Sequence, residues 1–312
     1  MDDSVRVGIY VPQLQFTYDD LVARARHCDE LGFDSFWLFD HLYGAQMPDL
    51  PAFEGWTLAT ALLTETERLR IGHMVLCATF RHPALLGKMA TTLDVISNGR
   101  LNVGIGSGSV EQEHVEAGIP WRTFAERTEI LEETLEILTR MFAGPRTTFE
   151  GRHFQVRDYP NVPGPVQQPR PPVYVGGVGE QRTLPLVARF ADVWNVPTYA
   201  LADLPAKNAV LDAACAQVGR DPSEIRRSLE AVMVIAPDDA ALAEALAKGE
   251  RRFGGAGFGL HDGGYIGTPS RIVDRIGEHR ELGFTEFVFF LHDRAAPATL
   301  ELIASDVLPH LG

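Results

Sequence analysis

Cysteine is scarce in this chain of 312 residues: there are three, Cys28, Cys77 and Cys215, far apart and without CxxC spacing. That excludes a disulfide framework and the common dithiol and zinc motifs, and it predicts free thiols in a reducing cytoplasm. Ten histidines include no HxH and no HExxH, so no metal site is expected. The Ser-His-Asp hydrolase elbow GxSxG is also missing; GSGSV at 106–110 is the nearest stretch and does not match. No apolar run reaches membrane length, and the opening MDDSVRVGIYVPQLQF has no basic leader. Neither a membrane span nor an export signal is expected. Positive charge is short as well. Lys and Arg number 28 against 42 Asp and Glu, a formal charge of −14. Such a chain repels phosphate backbones and anionic lipid, which argues against nucleic acid and membrane partners.

What is present is apolar and rhythmic. Hydrophobic residues make up 45% of the chain, enough for a large core. Eight short apolar runs lie at 5–11, 33–39, 69–76, 101–106, 173–176, 192–196, 228–235 and 286–291. Most are apolar on both faces, as parallel strands covered on both sides are. The run at 228–235 is interrupted by Glu230. Between the runs lie helical patterns. Leu85, Met89, Leu93 and Ile96 recur at helical spacing, as do Leu131, Leu135, Leu138 and Phe142. Helices are also expected at 180–190, 239–252 and 269–282, the last with Thr268 as N-cap and Pro269 at its first position. Eight β/α units favour a closed (β/α)8 TIM barrel over an open doubly wound sheet.

Two stretches break the rhythm. Residues 144–172 read as a small hairpin around Gly151 followed by a proline-rich run. They form an excursion before strand five, because a barrel cut there would be incomplete on either side. Residues 254–267 carry seven glycines and read as an unstructured lid over the barrel mouth. The expectation is one barrel domain over 1–312.

In such a barrel, catalysis sits at the C-terminal ends of the strands. The second run, FWLF, ends in Asp40-His41. The pair would face the mouth, where ionisable groups avoid an unpaired burial. Read alone, it admits two roles: a cofactor or substrate contact with His41 moving a proton, or a cap at Asp40 with His41 merely packed behind it. Arg81, just before Pro83, reads as a surface or helix-start residue rather than a ligand. Strand four ends in glycines at 104, 106 and 108, but Ser109 stands where a dinucleotide fingerprint needs glycine. Strand five ends VGGVGEQRT and feeds a helix, which offers free N–H groups to an anion. Trp56, Tyr43, Phe53, Trp121 and Tyr265 are aromatic candidates for a substrate pocket, or for ordinary packing.

Four stretches carry a resemblance: GFDSFWLFDHLYG, RLRIGHMVLCATFRHPALLGKMATTLDVISNGRLNVGIGSG, VYVGGVGEQRTLPLVARFADVWN and GTPSRIVDRI. Together they resemble the bacterial luciferase-like monooxygenase superfamily, and within it the branch that uses the 8-hydroxy-5-deazaflavin coenzyme (F-420). The resemblance implies a (β/α)8 barrel, commonly dimeric, with the ring of the coenzyme in the barrel mouth. It implies that Asp40 and His41 contact that ring and that His41 is catalytic in proton transfer. Met74 and Val75 match a non-proline cis peptide that props the ring from behind. Gly106, Gly108 and Gln112 match the loop beside the cofactor, and Gly176, Gly177 and Val178 the loop on its phosphate side.

The chain departs from the sugar-phosphate dehydrogenases of that branch. Ser109 replaces a glutamate that acts there as an acid, and the position of a tryptophan falls near Ala45, with Tyr43 the nearest aromatic. A glucose-6-phosphate dehydrogenase is therefore not expected. Glu113 and His114 stand nearby without an assignable acid role, leaving His41 alone or with Tyr43. The resemblance implies a deazaflavin-dependent oxidoreductase acting on a small organic substrate. The alternatives are an FMN-dependent monooxygenase on the same barrel and a non-catalytic flavin-binding protein, against which the intact Asp40-His41 pair argues.

Overall fold

The computed structural model describes residues 4–44, 47–255 and 257–312. In chain order its strands are β1 (Arg6–Tyr10), β2 (Ser35–Leu38), β3 (Arg70–His73), β4 (Leu76–Cys77), β5 (Leu101–Gly106), β6 (Arg146–Glu150), β7 (Gln155–Pro160), β8 (Val173–Gly176), β9 (Val193–Pro197), β10 (Arg226–Ile235), β11 (Tyr265–Gly267) and β12 (Phe284–Leu291). Parallel pairing runs β10-β12-β1-β2-β3-β5-β8-β9. β9 pairs back with β10 and closes the ring. This is the closed eight-stranded barrel that the both-faces-apolar runs predict, with helices outside.

One expected strand, 69–76, is two. β3 and β4 both lie beside β5, separated by the cis peptide Met74–Val75. β11 is an addition that extends alongside the upper end of β10, pairing Met233 with Tyr265.

Side-chain size inside the ring is set by neighbours. Trp37 on β2 is wholly buried and meets Tyr174 of β8 edge to face, with ring centroids 4.8 Å apart. Such aromatic pairs add about 0.5–1.5 kcal/mol beyond area burial. The indole fits because both flanking strands carry glycine where it passes. A Cβ on Gly8 would lie 2.9 Å from the indole nitrogen, and one on Gly72 2.7 Å from its ring edge. The nitrogen donates to Ser35 Oγ at 2.8 Å, so no buried donor is left unpaired.

The excursion is the antiparallel hairpin β6–β7. Its turn is held by Glu133 from the helix Phe124–Ala143, whose carboxylate accepts from the backbone N–H groups of Arg152, His153 and Phe154. The proline-rich run is pinned by buried Asp94, which accepts from the N–H groups of Val166 and Gln167. The glycine-rich stretch is more ordered than an unstructured loop. It contains the short helix Leu260–Gly263 and then β11.

Candidate active site

A cavity of about 1370 Å³ opens at the C-terminal ends of the barrel strands. A pocket for one drug-sized ligand is roughly 300–1,000 Å³, so this one has room for two molecules side by side. Its walls come mostly from the strand ends, as barrel geometry requires: Tyr10 at the end of β1, His41 after β2, Val75 between β3 and β4, Gly106 on β5 and Gly176 on β8, with Glu230 midway along the longer β10.

The carboxylates and the guanidinium at the β2–β4 wall are paired with one another. Asp40, 4% exposed, receives both guanidinium nitrogens of Arg81, at 2.6 and 2.8 Å, and the N–H of Cys77 at 2.8 Å. Arg81 also donates to Glu54 at 2.6 Å. Burial opposes the guanidinium charge, but Asp40 and then Glu54 outweigh it and raise Arg81 above its ordinary value. Arg81 is thus neither a surface residue nor a simple helix start. It is the buried counter-ion of Asp40, which caps no helix; Glu54 is the N-cap of Gly55–Thr64.

His41 is held by Glu113. Its Nδ1 lies 2.8 Å from Glu113 Oε1, while Oε2 of the same carboxylate accepts from the N–H of Leu42 at 3.0 Å. Glu113 is 2% exposed and sits on the helix Glu111–Glu116, after β5. A carboxylate on Nδ1 fixes the proton there and leaves Nε2 as the nitrogen that exchanges one. The neighbouring His114 is fixed in the same sense. Its Nδ1 donates to the Val110 carbonyl at 2.8 Å and its Nε2 accepts from Thr79 Oγ1 at 2.7 Å. Tyr43 hydrogen-bonds Glu116 at 2.5 Å, and desolvation and then that carboxylate push its pKa up to about 12.

Val75 projects into a strip of missing side chains. A Cβ on Gly106 would lie 2.8 Å from one Val75 methyl, and a Cβ on Gly176 3.2 Å from the other. The bulge therefore makes a smooth apolar shelf, with Trp37, Tyr174 and Val288 packed below it. Gly177, at φ +116°, turns the chain toward the helix Thr183–Phe190, whose N-terminus has no side-chain cap and whose Thr183 lines the cavity.

Of the residues read from the sequence, Asp40, His41, Met74, Val75, Gly106, Gly108, Gly176 and Gly177 line this one cavity. Gln112 and Val178 do not. Gln112 donates to Glu116 at 2.8 Å at the surface, and Val178 packs against the main core. Ala45 lies outside the described residues. The five aromatic candidates are elsewhere: Trp56 stacks on His73, Trp121 lies over Arg127, Tyr265 bonds His279, Tyr43 bonds Glu116, and Phe53 is half-exposed at the surface. The cavity is lined instead by Tyr10, Phe39, Phe80, Phe124, Phe258 and Phe290, among others.

The far wall, around β10, was missed by sequence reasoning. Glu230 lines the cavity and its carboxylate has no hydrogen-bond or ion-pair partner among the described residues. Burial alone pushes its pKa up to about 7. Arg252, from the helix Asp239–Phe253, lies over Phe253 and Phe290 with no ion pair among the described residues, and burial and then Arg294 bring it down to about 10 against the opposing pull of Asp293. The available signal was Glu230 itself, a lone acid in an apolar strand.

A family model described as luciferase-like monooxygenase matches residues 4–258. The chain belongs to that family. It is 29% identical to an F-420-dependent glucose-6-phosphate dehydrogenase of Microbacterium testaceum, covering 100% of this chain and 98% of the relative. It is also 29% identical to an F-420-dependent hydroxymycolic acid dehydrogenase of Mycobacterium tuberculosis, over 75% of this chain and 64% of the relative. Among solved structures, an F-420-dependent secondary alcohol dehydrogenase in complex with an F-420-acetone adduct superposes with a TM-score of 0.84 at 18% identity, covering 99% of each chain. A long-chain alkane monooxygenase superposes with a TM-score of 0.82 at 16% identity, covering 100% of this chain and 92% of the other.

Proposed function

We propose that this chain is an oxidoreductase in which the deazaflavin coenzyme F-420 and a small organic substrate meet in the barrel mouth and exchange a hydride. The observation that carries the reading is the pairing of His41 with Glu113 beside the Val75 shelf. A shelf cleared by Gly106 and Gly176 suits the back of a flat ring, and the uncapped turn at Gly177 and Thr183 suits an anionic tail. The F-420-dependent relatives support the same choice of coenzyme. When bound, the coenzyme supplies a two-electron hydride carrier; the protein supplies orientation and proton traffic.

Each residue then has a defined task. Arg81 and Asp40 lock the β2 end against the β4 end, which fixes the direction of His41. Glu113 holds the proton on Nδ1, so Nε2 moves the proton that accompanies reduction or oxidation of the ring. Met74, Val75, Gly106 and Gly108 would border the ring, Gly176 would lie where the ring meets the tail, and Gly177 would border the tail; Gln112 and Val178 would act only by holding the loops that carry these glycines. Residues 1–312 work as one barrel, in which 144–172 is an excursion and 254–267 a lid; Gly257 and Phe258 of that stretch line the cavity. We infer a cytoplasmic homodimer. Among the described residues no helix is long and apolar enough to cross a membrane, and all three cysteines are free.

The test is anaerobic turnover. Incubation with oxidised F-420 and a series of secondary alcohols should reduce the coenzyme without oxygen. Oxygen uptake with reduced FMN, and no anaerobic turnover, would replace this reading with a flavin monooxygenase.

A further inference from the structure

The cavity is lined by four carboxylates: Asp40, Glu113, Glu230 and Asp293. Three are spent on the protein itself. Asp40 is saturated by Arg81 and the Cys77 N–H. Glu113 is divided between His41 and the Leu42 N–H. Asp293 accepts from the hydroxyl of Thr299 at 2.6 Å and from the N–H of Ala296. Glu230 has no partner among the described residues, and Ser109 leaves the β5 loop without an acid of its own. A partly buried carboxyl with nothing to bond is costly unless a ligand or solvent completes it.

Its place in the ring is also informative. Going round the barrel, β10 stands four strands from β3 in either direction. β10, with Glu230 midway along it, is therefore diametrically opposite the Met74–Val75 bulge. A flat ring held against Val75 would leave the space between Val75 and β10 for the substrate. Alternation along β10 sends Leu229, Ala231 and Met233 outward into the main core, and Glu230 and Val232 into the cavity.

We propose that Glu230 is the catalytic residue that takes the proton from the substrate's hydroxyl as the carbon beneath it gives up hydride, and returns it to the carbonyl oxygen in reverse. This rests on the F-420 reading above and names the acid that reading lacks. The balance is complete. The alcohol loses a hydride from carbon and a proton from oxygen and becomes a carbonyl compound. The bound coenzyme would supply the hydride acceptor, and His41 would supply the proton that accompanies the hydride. Glu230 holds the substrate's proton, and exchange with solvent resets both side chains. The charged and titratable groups around Glu230 are Tyr10 of β1 and Tyr199 of the turn after β9, both coupled to it electrostatically. Lys248, Arg251, Arg252, His292 and Arg294 line the same cavity from the insertion helix and the segment after β12. β12 presents Val288, Phe290 and, deeper in the ring beside Ser228, the buried Glu286, which accepts from the hydroxyl of Tyr174 at 3.1 Å and faces Arg226.

The experiment compares wild type with Glu230→Gln and Glu230→Asp, using F-420 and the secondary alcohols that wild type oxidises. Glu230→Gln should bind F-420 within about threefold of wild type and lose about 100-fold or more in kcat, the scale of general acid–base catalysis. Glu230→Asp should recover part of that loss. The wild-type rate should show a limb near pH 7 that the Gln variant lacks. Independently of turnover, infrared spectra of the coenzyme-free protein should show a protonated-carboxyl component that is lost between pH 5 and pH 9 in wild type, and that component should be missing from the Glu230→Gln difference spectrum, which keeps any contribution of buried Glu286. Unchanged kcat and pH profile in a Gln variant that still binds coenzyme would overturn the proposal and leave the F-420 reading standing. Failure of wild type to bind F-420 would instead overturn that reading. Coenzyme binding without oxidation of any alcohol would overturn the hydroxyl assignment alone.

Discussion

The two walls of the cavity use their charged groups in opposite ways. At β2–β4, Asp40, Arg81, Glu54, His41 and Glu113 are all tied to one another or to backbone. At β10 and the helix Asp239–Phe253, Glu230 and Arg252 face the same space with no direct hydrogen bond or ion pair to a counter-ion among the described residues. A saturated network has one geometry and costs nothing to hold when a ligand arrives. Unsaturated groups keep a bonding capacity that only a ligand or solvent can fill. The first wall is thus suited to presenting a fixed coenzyme surface, and the second to recognising what varies, the substrate.

The sharpest way to break that contrast is to unsaturate the first wall. Arg81→Met would leave Asp40 buried without its counter-ion. Removing one partner of a buried pair costs about 3–5 kcal/mol. Urea denaturation should show a loss of that size, whereas Arg252→Met on the other wall, which breaks no ion pair, should change stability far less. Equal losses would erase the distinction.

Next in size is His41→Ala. It should lower kcat by about 100-fold while F-420 affinity shifts only a few-fold, since one hydrogen bond among many contacts is lost. Parallel loss of kcat and affinity would make His41 a binding residue. Gly106→Ala is smaller and tests the shelf. Its methyl would meet Val75 at 2.8 Å. Overpacking of this kind costs about 1–3 kcal/mol, and here it should appear as roughly tenfold weaker F-420 binding, because the displaced Val75 methyl would intrude on the ring.

The smallest effect is a gain. Burial raises Glu230 from the ordinary carboxylate range to about 7. Between those values the folded protein binds more protons than the unfolded chain, so this group's contribution to stability falls as pH rises and stays low above pH 7. Glu230→Gln removes the ionised form. It should match wild type near pH 4.5 and exceed it at pH 8 by about 1–2 kcal/mol, seen as a Tm higher by a few degrees. A residue that weakens the fold at the pH where it would act as a base is the trade expected of a functional group rather than a structural one.

How much of this was legible beforehand follows the same division. Barrel strands announce themselves because both faces are buried, and the eight runs fell where the strands are. Asp40 and His41 were visible because charge at the end of such a run is out of place. Their partners were not, because Arg81 and Glu113 lie 41 and 72 residues away in sequence and only the closed ring brings them in. The cut between β3 and β4 was hidden inside one apolar run. The aromatic candidates failed for a related reason: Trp56 and Tyr265 are as apolar as lining residues, and only packing tells an inner face from an outer one. Glu230 was in plain view as an interruption of the apolar run at 228–235, and nothing in the run itself shows that it lines the cavity.

The most direct measurement is binding of the purified protein to F-420 and, in parallel, to FMN, by fluorescence quenching with wild type and Gly106→Ala. The account predicts tight F-420 binding, much weaker FMN binding, and an F-420 affinity that falls in the glycine variant. Tight binding of FMN alone, or binding indifferent to Gly106, would contradict it.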